Sequence, residues 1–362
     1  MKKVQDQEEK PSTLENPLMF HGYASGICTS DENVDVVSHS KLVQACQEKN
    51  DVSTHTKRPD ITIEDIQDSD EKIMFYTGLP SFLIFNSLFL TLIEFGADKL
   101  CSAKPNTFKN DTGKKRKLRS VDEFLLVMMR LRLGLLVKDL EYRFKISGSS
   151  VSKIFNSWIV FMYKYLQSLV YLPKLEVLQK SIPSCFTHFR DTRIILDCTE
   201  IFIQTPSSLE NKSVTYSNYK SHNTFKVLVG VSMTGATVFV SKLWGGSASD
   251  VQITRESSLL QMLEKGDAVM VDKGFIHLKS DLKKLGVKLY CPPFKTKSQF
   301  SKEEVDLTRR IASARIHVER KMEQIKNFRI LQGVLPLAIN KVSNEIFFVC
   351  SALTNLMPPL VK

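Results

Sequence analysis

Three carboxylates in a chain rich in cations are the residues best placed to do chemistry. Asp197 closes one apolar run, Ile194-Ile195-Leu196-Asp197, and Asp272 closes another, Ala268-Val269-Met270-Val271-Asp272. Glu319 lies in a helical run, 311–320. Short β-branched runs read as strands, so both aspartates fall at strand ends. Two strand-end carboxylates and one helix carboxylate make a convergent set of hard oxygen donors. That set suits a pair of Mg²⁺ ions acting on a phosphodiester. One ion would lower the pKa of an attacking water or DNA 3′-hydroxyl, and the second would hold the leaving oxygen. Without a cation, such clustered carboxylates repel one another.

Each residue also has a plainer reading. A strand-terminal Asp is a common turn former, and Asp272 precedes Lys273-Gly274-Phe275, a strand-to-helix turn. Glu319 stands one turn beyond Arg315, as a surface ion pair would require. It is the joint occurrence of the three in one fold order that favours chemistry. Asp250 is a secondary candidate, although capping the next helix is the competing role. Glu200, three residues past Asp197, points to the opposite face of a strand and ranks low. Lys220 and His222 would touch DNA phosphates near the site, as would Arg315 and His317. No Gly-x-Ser-x-Gly elbow supports a serine hydrolase, and no Walker-type loop supports an NTPase.

The elements that must position these groups follow from periodicity. Strands are expected over 194–203, 226–233, 237–243, 268–271 and 287–291, with a turn at Thr234-Gly235. Helices are expected near 276–285 and over 303–328. Three meandering strands, then strands alternating with helices, is the order of an RNase H-like α/β fold with a mixed five-stranded sheet. It sets Asp197 beside Asp272 and lets a late helix deliver Glu319.

Ahead of the sheet the spacing is helical from 79 to about 172. The run 79–95 reads as a core helix begun by Pro80; it is too short and too often interrupted to span a bilayer. Val121, Phe124, Leu125, Met128 and Leu131 form a stripe ending near Gly134, and 137–144 forms a second helix. Ser149 or Ser150 caps a third, burying Val151, Ile154, Phe155 and Trp158. Helix, glycine-containing turn, helix is a helix-turn-helix, unless it is an ordinary bundle hairpin. Ser149, Ser150, Ser152 and Lys153 would then sit at the exposed start of the recognition helix, facing DNA.

Charge divides along the chain. Residues 1–75 carry 8 Lys/Arg against 15 Asp/Glu, and the remainder carries 42 against 24, within a net charge of +11. An acidic leader, mostly disordered over 1–72 but able to order locally from Ile61 to Ile66, thus precedes a basic body suited to a polyanion. Lys114, Lys115, Arg116 and Lys117 form a dense cluster suited to nuclear import, phosphate contact or a solvated linker. Seven scattered cysteines without a CxxC argue against a disulfide framework or zinc module and fit a reducing compartment. The first residues lack the apolar core of a secretory signal.

The segments Phe75-Tyr76-Thr77-Gly78-Leu79-Pro80-Ser81, Leu131-Arg132-Leu133-Gly134-Leu135-Leu136, Ser217-Asn218-Tyr219-Lys220, Val271-Asp272-Lys273-Gly274-Phe275 and 310–320 resemble the DDE superfamily of transposase-derived endonucleases. Within it they resemble the Harbinger-like group often linked to THAP-type zinc fingers. The resemblance spans roughly 75–336. It implies a helical region with a helix-turn-helix over 73–175, an RNase H-like nuclease domain over 190–345 and a C-terminal tail over 346–362. It also implies Asp197, Asp272 and Glu319 as the metal-binding triad of a Mg²⁺- or Mn²⁺-dependent nuclease. Two departures stand out: no cysteine pattern matches the zinc finger, and Lys273 replaces the usual Arg. The expectation is a nuclear endonuclease acting on double-stranded DNA, with strand transfer as an extension. A partner protein would supply site specificity, a homo-oligomer is admitted, and no membrane is involved. The alternative is a non-catalytic DNA-binding descendant.

Overall fold

The computed structural model describes residues 58–100, 116–294, 299 and 301–360. They belong to one compact unit, residues 50–362. Ahead of the boundary at 72, Ile61, Ile63 and Ile66 are buried. Helix α1 (Asp70–Thr77) ends at Gly78, whose left-handed φ of 77° closes it as a C-cap. Helix α2 (Phe82–Glu94) starts two residues later than the Pro80 its sequence suggests. Ser81 is the N-cap, accepting from the Ile84 N–H at 3.3 Å. Pro80 precedes the cap, so its missing N–H is not called upon by the helix.

The next three helices are α3 (Ser120–Leu133), α4 (Val137–Phe144) and α5 (Gly148–Tyr165). Every α3 residue from Asp122 to Leu131 is buried, so α3 is the central rod of this layer rather than an amphipathic surface helix. Burying Glu123 requires partners, and it has them: Trp158 Nε1 donates to its Oε2 at 3.0 Å and Arg116 Nη1 at 2.8 Å. The cap of α5 is Ser147, accepting from the Ser150 N–H at 3.4 Å, not Ser149 or Ser150.

The sheet holds β1 (Thr192–Phe202), β2 (Tyr216–Ser217), β3 (His222–Val231), β4 (Thr237–Val240), β5 (Trp244–Gly245), β6 (Ala268–Met270) and β7 (Lys288–Tyr290). Its order is β2-β3-β1-β6-β7, with β4 and β5 also on β3. β1 and β3 are antiparallel, while β1, β6 and β7 are parallel. This is the mixed sheet of an RNase H-like core; only the two-residue strands β2 and β5 escape the sequence pattern. The helices added here are α6 (Leu209–Thr215), α7 (Asp250–Glu256), α8 (Lys279–Lys284), α9 (Lys302–Lys326) and α10 (Ser343–Leu353).

One face of the sheet packs Ile194, Leu196 and Leu228 against Val251, Ile253, Phe275, Leu278 and Leu282. Across the other face runs α9, touching β1 and β3. Residues 346–362 do not begin as a tail. Ile346, Phe347, Val349, Cys350, Ala352 and Leu353 are buried in α10, which packs against α5 and β4. Burying six apolar side chains stabilises this helix in place. Among the described residues, no single helix is long and apolar enough to cross a membrane.

Candidate active site

The parallel pairing of β1 with β6 positions the two aspartates. Ile194 opposes Val269 and Ile195 opposes Met270; two residues on stand Asp197 and Asp272. Asp197 lies in the middle of β1 rather than at its end, because β1 runs on to Phe202 against β3, and Asp272 lies two residues past the end of β6. Asp272 caps the 3₁₀ turn Lys273–Leu278, accepting from the Lys273 N–H at 2.7 Å. Asp197 Oδ1 accepts from the Cys198 N–H at 2.9 Å. Burial pushes the Asp197 carboxyl up to about 6. Arg315 and the Cys198 hydrogen bond pull it down, and the charges of Asp272 and Asp250 push it up. Asp197 therefore senses both other aspartates.

Arg315, delivered by α9, is the counter-charge. Its Nη1 lies 3.3 Å from Asp272 Oδ1 while its side chain is only 12% exposed. Its Nε is buried and donates no hydrogen bond among the described residues. An incompletely satisfied, nearly buried guanidinium is suited to take a further oxygen acceptor. Glu319 is one turn further along the same helix and exposed. Among the described residues, no three His, Cys, Asp or Glu side chains stand close enough to hold a metal ion. The donor set thus fits a divalent cation in part: two hard carboxylates are brought together, and Glu319 does not complete a group of three with them in this conformation.

Asp250 does not cap α7; Ser249 does, accepting from the Gln252 N–H at 3.1 Å. Asp250 instead meets Lys226, whose Nζ lies 3.2 Å from its Oδ1 and donates to the Ala248 carbonyl at 3.0 Å. Glu200 pairs across the sheet with Lys226, 3.9 Å between Oε1 and Nζ, and accepts from Thr224 at 2.7 Å. Sequence reading misses Lys226 because nothing in the chain announces which residues of β1 and β3 will face each other. Lys326 is missed too. Three turns along α9 from Arg315, it is lowered by burial and by Lys220, against the pull of Glu200 and Asp197. A period-3.6 count along α9 would have placed it on Arg315's face.

The other candidate residues are dispersed. Ser149 and Lys153 are exposed and Ser150 and Ser152 partly so. Ser147 Oγ ties Ser149 Oγ at 3.1 Å and Ser150 Oγ at 2.9 Å. Lys220 is exposed; its Nζ sits 4.5 Å from the centre of the Tyr219 ring. His222 is half-buried edge-on to Phe202, with Nδ1 2.9 Å from the Asn223 carbonyl oxygen. His317 turns away from any phosphate: it is buried, 3.2 Å from Cys185 Sγ and stacked on Phe186. Of the basic cluster, Lys114 and Lys115 lie outside the described residues, and Lys117 is exposed. Arg116 is turned inward, donating to Glu123, Ser120 and the carbonyls of Ala97 and Leu100.

Residues 196–355 match the family described as DDE superfamily endonuclease, a stretch containing Asp197, Asp272 and Glu319. Residues 116–168 match the helix-turn-helix of DDE superfamily endonuclease, the stretch of α3, α4 and α5. No curated protein matches the chain.

Proposed function

We propose that this chain, similar to the DDE superfamily endonucleases in both its α/β core and its helix-turn-helix, is a transposase-like nuclease that cuts DNA phosphodiester bonds with a divalent metal. The observation that carries this reading is the β1–β6 register, which sets Asp197 beside Asp272. Asp197 and Asp272 would hold Mg²⁺ or Mn²⁺, with Glu319 as third ligand. A bound ion would supply an activated water, or strand-end hydroxyl, for in-line attack and charge stabilisation at the leaving oxygen. The chain's own groups bind and orient the strand. Arg315, already turned toward Asp272, would take a phosphate oxygen, and Lys220 and Lys326 extend the cationic surface from the site. The start of α5 would meet duplex DNA through Ser149, Ser150, Ser152 and Lys153. The Harbinger-like grouping and nuclear import through the cluster around Lys117 belong to the same reading, as does reliance on a partner for site choice.

A second reading has its own support. Arg315 already pairs with Asp272, and among the described residues Glu319 completes no metal-holding group with the aspartates, which suits a protein that binds DNA without cutting it. Supercoiled plasmid separates the two. The nuclease reading expects Mg²⁺- or Mn²⁺-dependent nicking, abolished by EDTA and reduced at least a hundredfold by Asp272→Ala. Equal DNA binding by both proteins with no nicking by either would establish the second reading.

A further inference from the structure

Between β1 and β3 the chain builds a small hairpin whose base is rigid and whose tip is open. Ser217 is buried, faces His222 across the β2–β3 pairing, and its Oγ accepts from the Lys220 N–H at 3.2 Å. Ser221 turns the corner at φ 51°, in the left-handed region. Buried Asn223 clamps the hairpin to α6, donating to the Lys212 carbonyl and to Thr215 Oγ1, each at 2.8 Å. On this fixed base stands Tyr219, 83% exposed. A ring displayed so fully gains nothing from the core, and the Lys220 ammonium 4.5 Å from its centroid covers only one face.

We propose that Tyr219 is a stacking platform for an unpaired base of the DNA, with Lys220 holding the adjoining phosphate. An aromatic face flanked by a cation is the chemistry that single-stranded nucleic acid recognises without reading its sequence. A base inside a duplex cannot reach the ring, so the ligand is a strand already parted from its complement. The hairpin lies at the site's edge: Phe202 pairs with Thr224 near the start of β3. Phe202 is five residues, about 17 Å of strand, beyond Asp197. The charges of Lys220 and Asp197 both reach Lys326. The platform would hold a frayed end while the strand runs back toward the carboxylates. This inference rests on the DNA-acting reading of the site but requires no cleavage.

The test measures binding by fluorescence anisotropy in EDTA at one fixed salt concentration. Two labelled duplexes of identical sequence are compared, one fully paired and one with six nucleotides splayed at one end. The unmodified full chain is expected to prefer the splayed DNA about tenfold, about 1.4 kcal/mol. Tyr219→Ala should remove most of that preference while leaving paired-duplex affinity within twofold, and Tyr219→Trp should keep it. Lys220→Ala should weaken both duplexes and lower the salt dependence. Absence of preference in the unmodified chain overturns the platform, as does a preference that survives Tyr219→Ala. Both outcomes leave the nuclease reading to the plasmid assay. Failure to bind either duplex overturns the platform and the DNA-acting reading together.

Discussion

Burial is what keeps a proton on Asp197 up to a pH of about 6, well above an ordinary aspartate. The consequence has a definite sign. Because the folded pKa is raised, the folded state holds its proton to higher pH than the unfolded chain does. Ionised Asp197 therefore costs stability above pH 6, and the cost disappears as pH falls toward 4. The distance between about 6 and an ordinary carboxyl corresponds to about 3 kcal/mol; partial exposure reduces this to roughly 1–2 kcal/mol. In EDTA, Asp197→Asn should be more stable than its parent by that amount at pH 7.5 and indistinguishable at pH 4, as read by denaturant unfolding. An Asn variant no more stable at neutral pH would mean that the carboxylate is already neutralised, with Arg315 a full counter-ion.

The helical layer shows how one inward cation fastens several segments. Arg116 joins the turn at Ala97 and Leu100 to α3 through Glu123, which also accepts from Trp158 on α5. The pair is nearly buried, with side chains 16% and 8% exposed. Removing one partner of such a pair strands the other charge, at a cost of about 2–4 kcal/mol. Arg116→Ala should lower the melting temperature by several degrees, whereas Lys117→Ala, at an exposed position, should leave it unchanged. Equal melting of the two variants would return Arg116 to the surface cluster in which its sequence puts it. The same layer tempers the recognition-helix picture. α5 buries Val151, Ile154, Phe155, Trp158, Ile159, Phe161 and Met162, so near its start only Ser149 and Lys153 are fully exposed to offer a groove.

On the scale of the whole molecule, the helical layer and the sheet meet at the end of α9. Arg132 Nη1 donates to the Asn327 carbonyl at 2.7 Å. A Cβ on Gly78 would lie 3.2 Å from the Phe328 ring, and one on Gly134 would lie 3.2 Å from the Arg329 backbone. Gly134 also has φ 67°, so a β-branched side chain there is strained by its backbone and blocked by its neighbour. Gly134→Val should destabilise the protein by about 2–3 kcal/mol. It should also loosen the joint, separating one calorimetric transition into two. A single transition at the parent's temperature would show that the joint is not tight. Two of the segments that resemble the DDE family, 75–81 and 131–136, thus serve this joint rather than the carboxylates.

The chain's own periodicity determined much of this protein. It marks α3, α4, α9 and the five principal strands to within a few residues, because apolar spacing reports the period of each element, although the stripe read on α3 is not its one buried face. It also marks Asp197 and Asp272 as neighbours, since a parallel β1–β6 register follows from the order of elements. Pairing across the fold was beyond its reach. That Arg315 rather than Glu319 would face Asp272, that Lys226 would meet Asp250 and Glu200, that Arg116 would turn inward, and that residues 346–353 would be buried all depend on contacts between residues distant in sequence. Rotations of a helix by a few tens of degrees exchange one side chain for the next, and only packing against the sheet sets that angle.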